Sequence, residues 1–321
     1  MNNYKNVFVT GSIAYDTIMN FPNEFQDYFH PEKLHQVNVS FVVNKLERQL
    51  GGTGTNIAYN IRLSNLQTFK PSSVYLLGSV GKDGKDFQKF FKKNKIDASG
   101  VIVDKKLYTS AGSVITDTKN NQIWGFYYGA SEKIPYIDFK KLNKETDLLV
   151  ISANHQNSFL YFQHGAIKNK IPYFYDPGMT LTWIKDKDLK EGVMNCRYLV
   201  GNDYEIAMVL KRAGKTIGQL ADSGIRVITT MGEGGVHYQE NVGNKNICSL
   251  LVKAFKVKKM VDPTGAGDAW RGGFIAGLLM GNSTKDCLKL GNVMASFAIE
   301  KYGTVNHRPT RKEIEERIKK I

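Results

Sequence analysis

The chain has 321 residues, 42% hydrophobic and 23% charged, enough apolar material for one large α/β domain or two ordinary ones. No apolar run approaches the ~20 residues of a membrane-spanning helix, the polar lead over residues 1–10 lacks a signal peptide's apolar core, and three scattered cysteines (Cys196, Cys248, Cys287) give neither metal spacing nor a disulfide framework; they fit a reducing cytoplasm and are expected to be buried. The net charge of +14 comes from dispersed lysines without a nucleic-acid module signature, so it reads as a lysine-rich solvated surface, one that also attracts anionic nucleotides.

In chain order, a short strand at Val7-Phe8-Val9 runs into Gly11-Ser12-Ile13-Ala14-Tyr15-Asp16. Asp16 is expected at the carboxyl end of that strand, where a carboxylate can accept from two vicinal hydroxyls; the rival reading is a surface-turn acid. Gly51-Gly52-Thr53-Gly54-Thr55-Asn56 reads as a glycine turn opening a helix. Asn56 offers a donor and an acceptor to a sugar hydroxyl, or serves as a helix cap. Further apolar runs follow at 74–77, 148–151, 173–175, 198–200 and 227–229. Strands that are apolar on consecutive positions are buried on both faces, so the prediction is a doubly wound, mainly parallel α/β sheet flanked by helices. Ligands in such a sheet sit beyond the carboxyl ends of the strands. With no repeats or Pro/Ser linkers, residues 1–321 are expected to form a single domain.

Two stretches break the pattern. Residues 15–47 hold Phe21-Pro22, Phe29-His30-Pro31 and the run from Val37 to Val43, and residues 108–128 read as a hairpin around the polar turn 119–122. The hairpin aromatics favour a lid or a dimer surface over a solvated flap. Asn202 and Glu205 follow the strand at 198–200, and their spacing puts both on one side of a helical turn. That arrangement suits either a hard-oxygen site for Mg²⁺ or a capping pair. Thr230, Gly232 and Gly235 close the strand at 227–229, while His155, His164 and His237 are isolated and read as structural or surface residues, with His155 in a loop that could face a substrate.

The densest signal is Val261-Asp262-Pro263-Thr264-Gly265-Ala266-Gly267-Asp268-Ala269-Trp270-Arg271-Gly272-Gly273. Small and apolar residues recur from Ala266 at three- and four-residue spacing, so a helix starts there, and Gly265 and Gly267 let its first amides converge on an anion. Asp268 would repel that anion unless it takes a proton from an attacking hydroxyl, the pairing that phosphoryl transfer to an alcohol requires. An ordinary glycine-rich turn with a first-turn acid is the alternative. A dinucleotide fingerprint is excluded because Trp270 stands where its third glycine belongs, and Gly214-Lys215-Thr216 lacks the P-loop glycine at Val209.

Asp262-Pro263-Thr264-Gly265-Ala266-Gly267-Asp268 resembles the C-terminal signature of the ribokinase-like (PfkB) family of sugar and nucleoside kinases, with Pro263 in place of the usual Thr. The stretch 51–58 is similar to that family's N-terminal signature, Asn202-Asp203-Tyr204-Glu205 to its Asn-x-x-Glu motif, and 230–235 to its nucleotide-binding loop; the four motifs stand in the family's order. The segments 11–16, 201–205 and 303–307, and the 120–122 turn with Phe126, look like the prokaryotic adenosine/nucleoside kinases of that family. The resemblance implies a ribokinase-like fold with a small β-lid formed from about 15–47 and 108–128. It also implies ATP-dependent in-line phosphorylation of a primary hydroxyl, that of adenosine or a broad range of nucleosides, in the cytoplasm. Asp268 would be the base and Gly265, Ala266 and Gly267 the anion hole. Asp16, Gly51, Gly52 and Asn56 would hold the sugar; Phe126, with Trp124, Tyr127 and Tyr128, would stack on the base. Asn202, Thr230, Gly232 and Gly235 would contact ATP, Asn202 and Glu205 would order Mg²⁺ through water, and some relatives place K⁺ near the position of Asp262. A monomer or a homodimer through the lid is expected, with no nucleic-acid or membrane partner. A ribokinase-type or fructokinase-type sugar kinase, an inactive nucleotide or nucleoside sensor, and an RNA-associated basic protein with strongly salt-dependent binding are the competing readings.

Overall fold

Strands that are apolar on both faces need cover on both sides, and the six apolar runs do become adjacent strands of one sheet. The computed structural model describes residues 4–29, 39–64, 73–119, 121–243 and 246–321. Expectations placed on His30, Pro31, Val37, Asn38 and Asn120, and on the side chain of Trp124, lie outside the described residues. The first half of the chain runs β1 (Asn6–Thr10), β2 (Ala14–Asn20), β3 (Lys45–Gly51), α1 (Thr53–Ser64), β4 (Val74–Val80), α2 (Lys85–Lys93), β5 (Asp97–Val103), β6 (Ser110–Thr116), β7 (Gln122–Tyr127) and β8 (Asp147–Ser152). The second half runs α3 (Gln156–Asn169), β9 (Tyr173–Asp176), α4 (Asp186–Asn195), β10 (Tyr198–Asn202), α5 (Asp203–Ala213), α6 (Ile217–Asp222), β11 (Arg226–Thr230), β12 (Val236–Asn241) and β13 (Ile247–Val252), then α7 (Ala266–Leu279), α8 (Thr284–Ala298) and α9 (Arg311–Ile318).

Nine strands form the main sheet in the order β13-β12-β11-β10-β9-β8-β1-β4-β5. It is parallel from β5 through β11 and ends in the antiparallel pairs β11–β12 and β12–β13. The alternation of strand side chains sorts the core into two layers. Leu148, Val150, Phe174 and Val200 pack with residues of α1, α2, α7 and α8, whereas Leu149, Ile151, Tyr175 and Leu199 pack with residues of α3, α4, α5 and α6. This is the predicted doubly wound α/β arrangement. Cys196 and Cys287 are buried as expected, but Cys248 is only partly buried, because it lies on the edge strand β13. Among the described residues no helix is long and apolar enough to cross a membrane.

Helices α7 and α8 approach closely because glycines face each other across the contact. A Cβ at Gly273 would stand 2.8 Å from the Leu290 carbonyl oxygen, and one at Gly277 2.9 Å from the Cys287 Cα. Backbone cannot yield as a flexible side-chain end can. Gly273→Val is therefore expected to destabilise the protein by about 1–3 kcal/mol through overpacking, read as a lower urea midpoint with unchanged slope.

The two segments that broke the pattern supply a second sheet of four strands, in the order β3-β2-β6-β7. β2 pairs antiparallel with β3 and parallel with β6, and β6 and β7 form the predicted antiparallel hairpin. Residues after β2 are tied to that hairpin: the Phe21 amide donates to the Thr116 carbonyl (2.8 Å) and the Phe25 amide to Asp117 Oδ2 (3.1 Å). Phe21, Phe25, Tyr28 and Phe41 close over these ties as an aromatic cluster with ring centroids 4.8–5.9 Å apart.

Candidate active site

The main sheet delivers its carboxyl ends, and the helix starts that follow them, to one edge where the small sheet joins. At α7 the chain turns through Gly265, whose φ of 77° is left-handed and whose missing Cβ leaves room for Thr304. Among the described residues no side chain caps this helix. Of its first amides, that of Ala266 turns back on the Pro263 carbonyl (3.2 Å), so it is partly engaged and not purely an anion donor as the sequence suggested. Asp262 holds the turn from below: its carboxylate accepts from the Thr264 amide (2.9 Å) and the Gly303 amide (3.0 Å).

Asp268 sits in the first turn of α7, half-buried, and its Oδ2 accepts from Asn56 Nδ2 at 2.8 Å. Asn56 Oδ1 in turn accepts from the Thr304 hydroxyl at 2.8 Å. Asn56 is the fourth residue of α1, so it is not the helix cap that its residue type allowed; its amide is spent orienting Asp268. Burial pushes the Asp268 carboxyl up to about 6, against the nearby Arg271 charge and the Asn56 hydrogen bond, which both favour the ionised form.

Asp16, expected beyond the carboxyl end of β1, is the third residue of β2, the strand of the small sheet that follows β1 directly. It lies close against Gly51, the last residue of β3: a Cβ at 51 would stand 2.1 Å from Asp16 Oδ2. Gly52, at φ 89°, then lets the chain reverse into α1, with no room for a Cβ between the Ser12 carbonyl and the Ala14 amide. Burial, with Asp268 and Asp262 nearby, raises the Asp16 carboxyl to about 7. Asp16 stands in register with Gly112 of β6, and Gly112 with Phe126 of β7. Paired residues share a sheet face, so Asp16 and Phe126 look the same way across a position without a side chain. Phe126 packs on Tyr128, and Tyr128 edge-on against His155, each at 5.1 Å between centroids.

Asn202 and Glu205 form a reciprocal capping box at the start of α5. Asn202 Oδ1 accepts from the Glu205 amide (2.7 Å), and Glu205 Oε2 accepts from the Asn202 amide (2.8 Å). Thr230 is the register partner of Asn202 on the neighbouring strand. Thr230, Gly232 and Gly235 line a cleft of about 230 Å³ whose far wall includes Ala266, Gly267 and Trp270. Gly235 is at φ 91°, with its α-carbon so close to the Val252 carbonyl that a Cβ would stand 2.1 Å from that oxygen. The structure thus brings Asp16, Gly51, Asn56 and Asp268 together on one side of the α7 start and Thr230, Gly232 and Gly235 on the other. Phe126 stands apart from both, across the small sheet.

Sequence reasoning missed three residues here. Thr304 was read only as part of a C-terminal segment. Asp176 directly follows the strand expected at 173–175 and ends the observed β9 at its carboxyl end, a position that should have flagged it. Arg271 is the one basic residue of α7, one turn beyond Asp268 in an otherwise apolar and glycine-rich helix, and it pairs with Asp176 at 2.6 Å. His155 accepts from the Asn157 amide at the start of α3 and His237 bonds Ser249, both structural as read, whereas His164 is not isolated: it faces Glu191 at 3.7 Å, and its ring, Asp188 and Glu191 bring their ligand atoms within 4.8 Å of one another at the surface.

The profile described as pfkB family carbohydrate kinase matches residues 8–311. A nucleoside kinase of Methanocaldococcus jannaschii is 27% identical over 298 residues, 92% of this chain and 94% of that protein. A ribokinase of Lactococcus lactis is 28% identical over 283 residues, 84% of this chain and 86% of the relative. Among solved structures, the Burkholderia thailandensis nucleoside kinase in complex with inosine superposes with a TM-score of 0.83 at 26% identity, covering 98% of this chain and 97% of that one. The same protein has also been solved with ADP-inosine, with a TM-score of 0.81 at 27% identity over 98% and 95% of the two chains.

Proposed function

The chain belongs to the pfkB family of carbohydrate kinases and is an ATP-dependent phosphotransferase with the ribokinase-like fold; from that premise we propose that it phosphorylates the 5′-type primary hydroxyl of a nucleoside, adenosine or a broader range. The observation that carries the acceptor class is the row Asp16, Gly112, Phe126 on one face of the small sheet. Two inter-strand spacings of about 4.8 Å separate the Asp16 and Phe126 backbones, leaving room between carboxylate and ring for a ribose and its base. Asp16 takes the diol, the side-chain-free lane at Gly112 admits the glycosidic link, and Phe126 with Tyr128 offers the base an aromatic edge and face. The small sheet is the lid over this substrate, within a single domain of residues 1–321. Its exposed Leu46, Ile123 and Tyr127 are where a homodimer would form.

Asn56 holds one oxygen of Asp268, and the other takes the proton as the acceptor hydroxyl attacks in line. The amides at Gly265–Gly267 and the positive end of α7 face the charge that spreads over the phosphoryl oxygens. Gly51 and Gly52 make the tight turn that sets Asp16 beside the start of α1, where the sugar binds, and Thr230, Gly232 and Gly235 line the cleft that takes the nucleotide. Asn202 Oδ1 and Glu205 Oε2 are already used in the capping box, so Mg²⁺ fits here through water on Glu205 rather than by direct ligation. When bound with ATP it neutralises phosphate charge. Both Asp262 oxygens accept backbone amides, so K⁺ would have to share them with the turn they close.

ATP consumption with Mg²⁺ across a panel of nucleosides and free sugars tests the acceptor. Turnover of adenosine or inosine, with Phe126→Ala raising nucleoside KM about tenfold as expected for one stacked base, supports the nucleoside. Turnover of ribose that ignores Phe126→Ala would instead establish the sugar-kinase alternative, to which the similarity with a ribokinase lends weight.

A further inference from the structure

Arg271 has a place in the fold that the proposed reaction does not yet use. Its side chain is folded back along α7 toward the helix start, as helical side chains are, and only 7% of the residue is exposed. Nη2 donates to Asp176 Oδ1 at 2.6 Å, and the other Asp176 oxygen accepts from Ser152 at 3.0 Å. Nε has no partner. Nη1 lies against Gly267, where a Cβ would stand 2.6 Å from it. Gly267 lies within the helix and not at positive φ, so its missing Cβ serves to leave space for this guanidinium rather than to give backbone freedom.

An arginine that served only to neutralise Asp176 would present its planar fork to both carboxylate oxygens, the stronger geometry. Here it gives one nitrogen to Asp176, shares that carboxylate with Ser152, and leaves an N–H unpartnered in a buried position beside the first turn of a 14-residue helix. Leaving a charged donor unsatisfied is costly unless a ligand completes it.

We propose that Arg271 is the charged wall of the anion hole and contacts the γ-phosphoryl group of ATP, with Asp176 holding its guanidinium in place. The inference rests on the α7 start being the phosphoryl site. The guanidinium stays charged at every working pH and is already oriented, so it meets the transferring group without reorganisation. Asp176 is then a positioning residue, acting through Arg271.

The test uses the double variant Arg271→Met/Asp176→Asn. A single Arg271 change leaves a buried carboxylate unpaired and can fail to fold, whereas removing both charges of a buried pair is often tolerated. Binding of β,γ-imido-ATP and of ADP, each with Mg²⁺, is measured by calorimetry alongside thermal melting and kcat. The expected result is a folded protein with ADP affinity within about twofold, the imido analogue weakened about tenfold, and kcat lowered about 10²–10³-fold, the usual loss for one oxyanion donor. Arg271→Lys, which keeps charge but not the fork, should fall between. If the analogue and ADP are affected alike, or kcat stays within threefold, Arg271 is only the counter-ion of Asp176 and the proposal fails. The nucleotide comparison involves no acceptor, so it stands or falls independently of the nucleoside reading.

Discussion

Asp268→Asn is expected to lower turnover by about 10²–10⁴-fold, the range for loss of a general base, while ADP binding and the melting temperature stay close to those of the unaltered protein. Asn is nearly isosteric, and its amide oxygen can still accept from Asn56, so the local hydrogen bond that holds the side chain survives. What disappears is the proton acceptor. The pH dependence adds a second reading of the same group. Because burial raises Asp268 to about 6, the base is ionised above that value, and kcat/KM in the unaltered enzyme should fall toward tenfold per pH unit below it. Asp16 and Asp268 influence each other, so the acid limb reports the pair and not either residue alone. A steady-state series from pH 5 to 8 on both proteins decides the matter. Near-normal turnover in Asp268→Asn would remove the residue from the mechanism.

Asp16→Asn should separate function from stability. On the proposed reading, losing a charged hydrogen-bonding partner of the sugar diol costs about 1.5–3 kcal/mol, which appears as a KM for the acceptor raised roughly 10–150-fold. The stability effect has the opposite sign. The folded-state value of Asp16, about 7, lies above its ordinary 3.8, so its contribution to stability is fully present below about pH 4 and is lost as pH rises through 7. Asn cannot ionise and escapes that loss. The ligand-free variant should therefore melt higher than the unaltered protein above pH 7, on the order of a few degrees, with the difference shrinking toward pH 4. Melting curves at pH 4.5 and 8 suffice. A variant that melts lower at pH 8 would mean that the Asp16 carboxylate is better solvated than its position beside Gly51, Asp262 and Asp268 implies. Sites that carry such a penalty are commonly those that a ligand satisfies.

Much of the fold was legible because its signals are local. The runs at 148–151, 173–175 and 227–229 announced strands buried on both faces, and those strands are neighbours or near neighbours in the parallel sheet. The hairpin at 108–128 was visible from its turn, and the α7 start from its glycines. The spacing of Asn202 and Glu205 left two readings open, and the capping box is what the structure displays. That Asp16 belongs to a strand of the small sheet was not legible, because Ala14–Asn20 pairs only with strands far away in sequence and shows no alternation of its own.

The sequence by itself determined that this is a doubly wound α/β chain with a helix start fit for phosphate and an acid beside it, because helix periodicity, strand burial and glycine turns are short-range properties. Only the tertiary structure decided what surrounds that acid. Asn56 reaches Asp268 across 212 residues and Arg271 reaches Asp176 across 95, and Asp16 faces Phe126 through a sheet register. Those pairings depend on strand order and on which helix covers which face. Burial of the summed apolar surface fixes both, and no stretch of neighbouring residues encodes them.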